Sequence, residues 1–309
     1  MKSSIKKCCH LFWLFVFVIL FGIGFQALTQ QQVDEFSFIV TADMREYAGP
    51  KYQTSDYFFG TCEAILDVGK GAFMISPGDI DPPWFVRETI SKVFGVDYIW
   101  YPVVGNHESE TKEDMAYLRE YNAGGNKLPY IVNVGPEGSE ETMYSFDYGN
   151  AHFIVLNQYY DGNSDIGTDG DIVDSTYHWL AQDLKNTRKK YIFVAGHEPA
   201  YPLPDMDSNR LRHYGDSLDK YPKNRDRFWK LLKEKGVLAY FCGHTHNVSI
   251  RKIEGIYQID AGHCRGIADK GAQSSFVKIN VIKNECQYEI YRMDIEKRIY
   301  IQRSFGIFE

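Results

Sequence analysis

The sequence predicts a layered α/β fold, and three observations carry that prediction. Short apolar runs recur at "FSFIVTA" (36–42), "AFMISPG" (72–78), "YIWYPVVG" (98–105), "YIFVAG" (191–196) and "VLAYFCG" (237–243). Helix-like stretches at 54–68, 84–94, 111–121, 173–186 and 224–235 lie between them. After residue 247 the pattern turns to β, through "NVSIRKI", "GIYQIDA", "SSFVKINVI" and "CQYEIYRM". Runs that are apolar throughout suit strands buried on both faces, and intervening helices give largely parallel pairing. "TMYSFDYGNAHFIVLNQ" (142–158) alternates around "YGN", which is the pattern of a β-hairpin. A layered sheet architecture with helices on the outside accommodates all of these. The loops 159–172 and 200–222 are long, polar and rich in Gly, Pro, Asp and Tyr, and loops of that length in a compact domain are usually functional.

Residues 1–29 stand apart. Lys2, Lys6 and Lys7 precede the uncharged run "LFWLFVFVILFGIGFQAL" (11–28), and Ala27 and Thr29 supply small residues before "QQQ". This is the layout of an export signal, either cleaved or, since the run is long enough to span a bilayer, kept as a signal anchor. The remaining chain, 30–309, reads as one domain lying outside the cytoplasm. It would be periplasmic, extracellular or held at the membrane by its N-terminal segment alone.

The segment takes three of the 34 basic residues and none of the 41 acidic ones, leaving the rest about ten charges negative. Such a balance argues against nucleic acid as a partner. An anionic substrate would need local positive charge, from metal ions or a few arginines. Cys62, Cys242, Cys264 and Cys286 are widely spaced, with no CxxC zinc pattern. Cys242 lies in an apolar run and reads as a buried thiol. Export would permit one bridge, but a disulfide framework is not indicated.

The ends of the apolar runs hold the chemistry. The first is followed by Asp43, the second by "GD" (Gly78, Asp79), and the third by "GNHE" (Gly105 to Glu108). The fourth is followed by "GHEP" (Gly196 to Pro199) and the fifth by "GHTH" (Gly243 to His246). In open α/β sheets the ligand crevice lies beyond the carboxyl ends of the strands, so these side chains converge. Carboxylate, amide and imidazole donors in that number suit one or two divalent or transition-metal ions (Mn, Zn, Fe or Mg). Two ions sharing a carboxylate clamp a substrate oxygen and acidify bound water, which suits hydrolysis of a phosphoester. Of the other histidines, His152 and His178 read as structural and His213 as solvent-exposed. No HExxH, P-loop or GxSxG pattern competes. The sequon "NVS" at 247–249 directly follows a candidate ligand and reads as accidental.

Asp…GD…GNHE…GH…GHTH resembles the calcineurin-like metallophosphoesterases, over about 35–265. The resemblance implies a layered αββα fold with two central mixed β-sheets flanked by helices. It implies a hydrolase for a small phosphomonoester or phosphodiester, cleaved by attack of a metal-bound hydroxide, and the N-terminal segment would make it an exported one. It also implies roles. Asp79 would bridge two ions, Asn106, His197 and His244 would complete one site, and Asp43 and His246 would belong to the other. His107 would contact the substrate's leaving group. The departure is at the first motif, Asp43-Met44-Arg45, where the family commonly has Asp-x-His. Arginine has no lone pair for a metal. The related purple acid phosphatases use a tyrosine in a GDxxY motif instead, and "GDIDPP" here has proline at that place. Arg45 is therefore read as a substrate-binding and catalytic cation, against the plainer reading of an ion pair with Glu46 or Asp81. His263 is a candidate replacement ligand, against the plainer reading of a loop histidine. A non-catalytic binding protein with a degenerate metal site, on the same fold, is the alternative function.

Overall fold

A computed structural model describes residues 35–309, and the export segment expected over 1–29 lies outside the described residues. The apolar runs fold as strands whose successive side chains pack in opposite directions. In β1 (Phe36–Val40), Phe38 and Val40 point into the space between two sheets, while Ile39 points outward to a helical layer. The same split holds in β2 (Phe73–Ser76), where Phe73 and Ile75 face inward and Met74 faces the helices. Both faces are buried, and that is why the runs carry no polar alternation.

The first sheet adds β3 (Ile99–Pro102), β11 (Ser275–Val281), β12 (Cys286–Asp294) and β13 (Ile299–Ile307), in the order β13-β12-β11-β1-β2-β3. The second holds β4 (Ile131–Val134), β5 (Tyr144–Tyr148), β6 (Ala151–Val155), β7 (Tyr191–Ala195), β8 (Ala239–Cys242), β9 (Val248–Ile253) and β10 (Ile256–Ala261). Its order is β4-β5-β6-β7-β8-β10-β9. Both sheets are mixed. Parallel pairing is confined to β1-β2-β3 and β6-β7-β8-β10, so pairing is less parallel than the helix–strand alternation predicts. The antiparallel remainder comes from β4 beside β5, from the hairpin β5–β6, which forms as expected, and from the strands after residue 247.

Aromatic rings fill the space between the sheets. Phe146 stacks on Tyr101 of the opposite sheet at 3.7 Å and on its neighbour Phe153 at 4.8 Å, and Phe38 meets Phe153 edge-on at 5.1 Å. Outside the first sheet lie α1 (Phe58–Val68), α2 (Pro83–Phe94), the short α3 (Asn106–Glu110) and α4 (Lys112–Tyr121). They bury Phe58, Ile65, Val86, Ile90 and Leu118 against Ile39, Met74 and Trp100. Outside the second lie α5 (Asp174–Asn186) and α6 (Pro222–Glu234), with Leu180, Phe228 and Leu232 against Ile154, Val194 and Tyr240. This is the αββα layering. All four described cysteines are buried free thiols.

His152 is structural in a specific way. On β6 its Nδ1 is 2.7 Å from Asp147 and its Nε2 is 2.8 Å from the buried Asp183. Burial alone would lower its pKa, but the hydrogen bonds and charges of the two carboxylates outweigh this and push it up to about 9. A group raised in the folded state stabilises fully below its unfolded pKa, near 6.5. That contribution is lost as pH rises through the folded value. Urea unfolding across this window is expected to show about 3 kcal/mol less stability above pH 9 than below pH 6.5 from this group. In His152→Gln the same profile should flatten.

Candidate metal centre

Five strand ends from the two sheets meet at one end of the sandwich. β1, β2 and β3 deliver Asp43, Asp79 and Asn106–His107, while β7 and β8 deliver His197 and His244–His246. The backbone here is forced into rare conformations. Asp43, Asp79, His244 and His246 all have positive φ, at 55°, 53°, 70° and 56°. Non-glycine residues in that region cost of order 1–3 kcal/mol each and persist only where surroundings compel them. The flanking glycines are required by close approach. A Cβ on Gly78, itself at φ 76°, would lie 2.4 Å from His197 Nδ1, and one on Gly243 would lie 2.5 Å from Asp43 Oδ2.

Glu108, the last residue of "GNHE", holds two of these turns. Fully buried, it accepts from the backbone N–H groups of Gly105 (2.6 Å), Asp79 (3.0 Å) and Ile80 (2.7 Å).

Hydrogen bonds on the far side of each ring set the tautomers. A carbonyl can only accept, so His197 Nδ1–H donates to Pro77 O at 2.8 Å and Nε2 keeps its lone pair. His244 Nε2–H donates to Asp216 O at 3.0 Å, leaving the lone pair on Nδ1. Asn106 Nδ2 faces Glu110, so Oδ1 faces the rings. Around His197 Nε2 then stand His244 Nδ1 at 3.2 Å, Asn106 Oδ1 at 3.2 Å and Asp79 Oδ1 at 3.3 Å. These three acceptors face the His197 Nε2 lone pair with no hydrogen between, and Asp79 Oδ1 also accepts from the His107 backbone N–H at 3.3 Å. Donors about 2.1 Å from an ion stand about 3 to 3.4 Å apart at tetrahedral or octahedral angles, and the three distances to His197 Nε2 agree with that. Burial pulls His197 and His244 down to about 3, so both rings are neutral and able to ligate. The set fits a cation.

The other half of the centre is built differently. Oxygens and a nitrogen of Asp43, Asp79 and His246 lie within 4.8 Å of one another. Asp43 is wholly buried. Its Oδ2 accepts from His244 N–H at 2.9 Å, while Oδ1 has no hydrogen-bond partner and lies 3.5 Å from His246 Nε2. Burial and then the charge of Asp79 raise its pKa well above the usual carboxylate range. His246 Nδ1–H donates to Asp269 at 2.9 Å, and Arg212 lies against the same edge of the ring. Burial raises Asp269, but the His246 hydrogen bond and nearby positive charge together hold it below its ordinary value. The lone pair of His246 Nε2 receives Nη2–H of Arg265 at 2.9 Å, and Arg265 Nε–H donates to the backbone oxygen of Asp43 at 2.7 Å.

Every other expected residue has a definite place. His107, partly exposed, lies at the rim with Nδ1 3.2 Å from Glu110 and Nε2 3.6 Å from Asp79. The Arg45 side chain pairs with Asp81 through Nε (3.0 Å) and Nη2 (3.3 Å), the plainer of the two readings, while its backbone N–H donates to the Asp79 carbonyl at 3.0 Å. His263 is buried with both nitrogens on backbone, at Ala272 O and Arg265 N–H, so neither is free to ligate. His213 is only partly exposed, its ring tilted over His244 with centroids 4.0 Å apart. Asn247 is buried and its amide bonds Arg210 at both ends, so the "NVS" sequon offers no glycosylation site.

The residues that sequence reasoning missed are Glu108 as a clamp, Asp216, Asp269, Arg210, Arg212 and Arg265. One signal was available for Arg265. It follows "AGHC" after β10, the same strand–glycine–histidine ending as at the other site strands.

A family model described as calcineurin-like phosphoesterase matches residues 37–248. Among curated proteins the chain is similar to tartrate-resistant acid phosphatase type 5 of Rattus norvegicus, 24% identical over 217 residues, covering 66% of this chain and 61% of that one. It is also similar to phosphoenolpyruvate phosphatase of Allium cepa, 28% identical over 182 residues, covering 56% and 33%. The matches thus span from about a third to three fifths of those relatives' lengths. Two solved structures share the fold. One, titled GAP50, the anchor in the inner membrane complex of Plasmodium, superposes with TM-score 0.55 at 14% identity, covering 89% of each chain. PhoD superposes with TM-score 0.53 at 12% identity, covering 87% and 72%.

Proposed function

The chain belongs to the calcineurin-like phosphoesterase family, and from that premise we propose that it is a metal-dependent hydrolase of a small phosphomonoester or phosphodiester. The observation that carries this reading is the His197 Nε2 lone pair faced by three further acceptors, on Asp79, Asn106 and His244, without a hydrogen between. Asp79, Asn106, His197 and His244 would hold an ion, which when bound would supply polarisation of a phosphoryl oxygen and an acidified water. The chain's own residues do the rest. Pro77 and Asp216 carbonyls fix the two imidazoles, which is the outer support that metal ligands need. Glu108 fixes the Asp79 and Asn106 turns. Glu110 holds the His107 ring with Nε2 toward Asp79, where a proton on that nitrogen is positioned to pass to the leaving oxygen.

Arg45 is spoken for by Asp81, so a phosphate reaches it only by displacing a carboxylate. The nearer cations are Arg212 and Arg265. The acidic balance of the chain supports a small substrate over nucleic acid. The lysines and apolar run of 1–29 support action outside the cytoplasm, with membrane contact only through that segment if it is retained.

The test is hydrolysis of a chromogenic phosphomonoester and a diester by the full chain with Mn or Zn. Turnover is expected with at least one. His107→Ala should lower kcat by roughly 100- to 10,000-fold while ion affinity, read by calorimetry, stays within a few-fold. An ion-loaded, folded protein that turns over neither class of ester would support the binding-protein alternative instead.

A further inference from the structure

The two halves of the centre differ in one respect that governs ion loading. Around His197 Nε2 no side chain offers a hydrogen. Around His246 Nε2 one does, and it belongs to a guanidinium that cannot be deprotonated. A single lone pair cannot serve both Arg265 and an ion. Resting on the phosphohydrolase reading of the same site, we infer that Arg265 competes with an ion for His246. One ion is then held tightly by Asp79, Asn106, His197 and His244. The position by Asp43 fills only weakly, and a fixed positive charge stands beside it when empty.

The neighbouring residues support this. Arg265 is anchored independently of His246, through Nε–H to the Asp43 carbonyl, so the guanidinium is held in place and not draped there by chance. Among the described residues no carboxylate lies within 4 Å of it to draw it off, whereas Arg210 has Asp269 and Arg45 has Asp81. Arg45 also stands two residues after Asp43, close enough for a ligand but with no lone pair to give. What remains for an ion there is Asp43 Oδ1, which has no other partner, and a share of Asp79. Weak affinity follows from two carboxylate oxygens and a contested imidazole; zero affinity does not.

The experiment is a Mn²⁺ titration of the chelator-treated full chain, read by calorimetry and by electron paramagnetic resonance. Wild type is expected to take one ion tightly, with a mononuclear six-line signal, and a second at least 100-fold more weakly. Arg265→Met, which keeps the stem and removes the donor, should tighten the second ion about 10- to 100-fold and give the coupled signal of an ion pair. Arg265→Lys keeps the charge but cannot fork across both acceptors. It should fall between the two, and a circular-dichroism melt confirms folding of each variant. If either variant fails to fold, His246→Ala in the same titration decides. It should leave the tight ion within a few-fold, while His244→Ala weakens it more than 100-fold. Two ions of similar affinity in wild type, or an unchanged second ion in Arg265→Met, would overturn the inference and leave the hydrolase reading standing. Wild type that binds no ion would overturn both.

Discussion

Asp79→Asn is expected to abolish phosphoester hydrolysis, by about a thousandfold or more, while the metal-free protein becomes as stable as wild type or more so. The first effect follows from position. Asp79 is the carboxylate that serves both halves of the centre, with Oδ1 3.3 Å from His197 Nε2 and an oxygen within 4.8 Å of the Asp43 and His246 donors. Removing its charge weakens the ion, and with it several kcal/mol of charge stabilisation in the transition state. The second effect follows from electrostatics. Burial and then the charge of Asp79 raise the pKa of both Asp43 and Glu108, with Arg265 opposing this at Asp43. Three crowded carboxylates without a metal ion are a cost the folded apo protein bears for the sake of the site. Thermal melts with chelator should show Tm unchanged or higher by a few degrees. With Mn added, wild type should gain stability by mass action and the variant should not. A variant that lost stability in chelator would show that Asp79 holds the turn by itself, not through Glu108.

How much of this was legible beforehand depends on how local each feature is. The candidate metal donors stood out because each sits within a few residues of an apolar run that ends in a tight turn. Gly-Asp and Gly-His carry their reason in the dipeptide. The five strands' division between two sheets was not visible. It depends on β11 pairing with β1, residues some 240 positions apart, and no local pattern records that. β13 was missed because its apolar residues Ile299, Ile301 and Phe305 are exposed, so the run does not mark a core. β4 was missed because it is four residues long and only partly buried. The arginine question shows the limit most sharply. The pattern breaks at Arg45, two residues after Asp43, but the cations facing the His246 ring are Arg265 and Arg212. Asp81 claims Arg45, and only the folded chain brings residue 265 to residue 43.

Arg292→Met is expected to be the most destabilising single change outside the hydrophobic core, at about 3–5 kcal/mol. Arg292 on β12 is almost wholly buried. It grips Asp205 with two parallel bonds, Nη1 to Oδ1 at 3.1 Å and Nη2 to Oδ2 at 2.9 Å, and reaches Asp207 at 2.7 Å. Burial alone would raise Asp205, but the bonds from Arg292 and from the Ser208 and Asp207 backbone outweigh it and hold the carboxyl below its ordinary range. Without the guanidinium that charge stays buried with no counter-ion, which is the costly way to break such a pair. A fall of roughly 10 °C in Tm would accompany it. Asp205→Asn added to Arg292→Met should return part of the loss, since no buried charge is then left alone, and a double variant worse than the single would count against this account. The effect should also reach the metal centre. Asp205 begins the loop that supplies Arg210, Arg212, His213 and the Asp216 carbonyl that sets the His244 tautomer. Loosening an outer support of that kind typically costs about 10- to 100-fold in metal affinity. Calorimetry of Arg292→Met at a temperature where it is still folded should therefore show a weaker ion, although the substitution touches no metal donor.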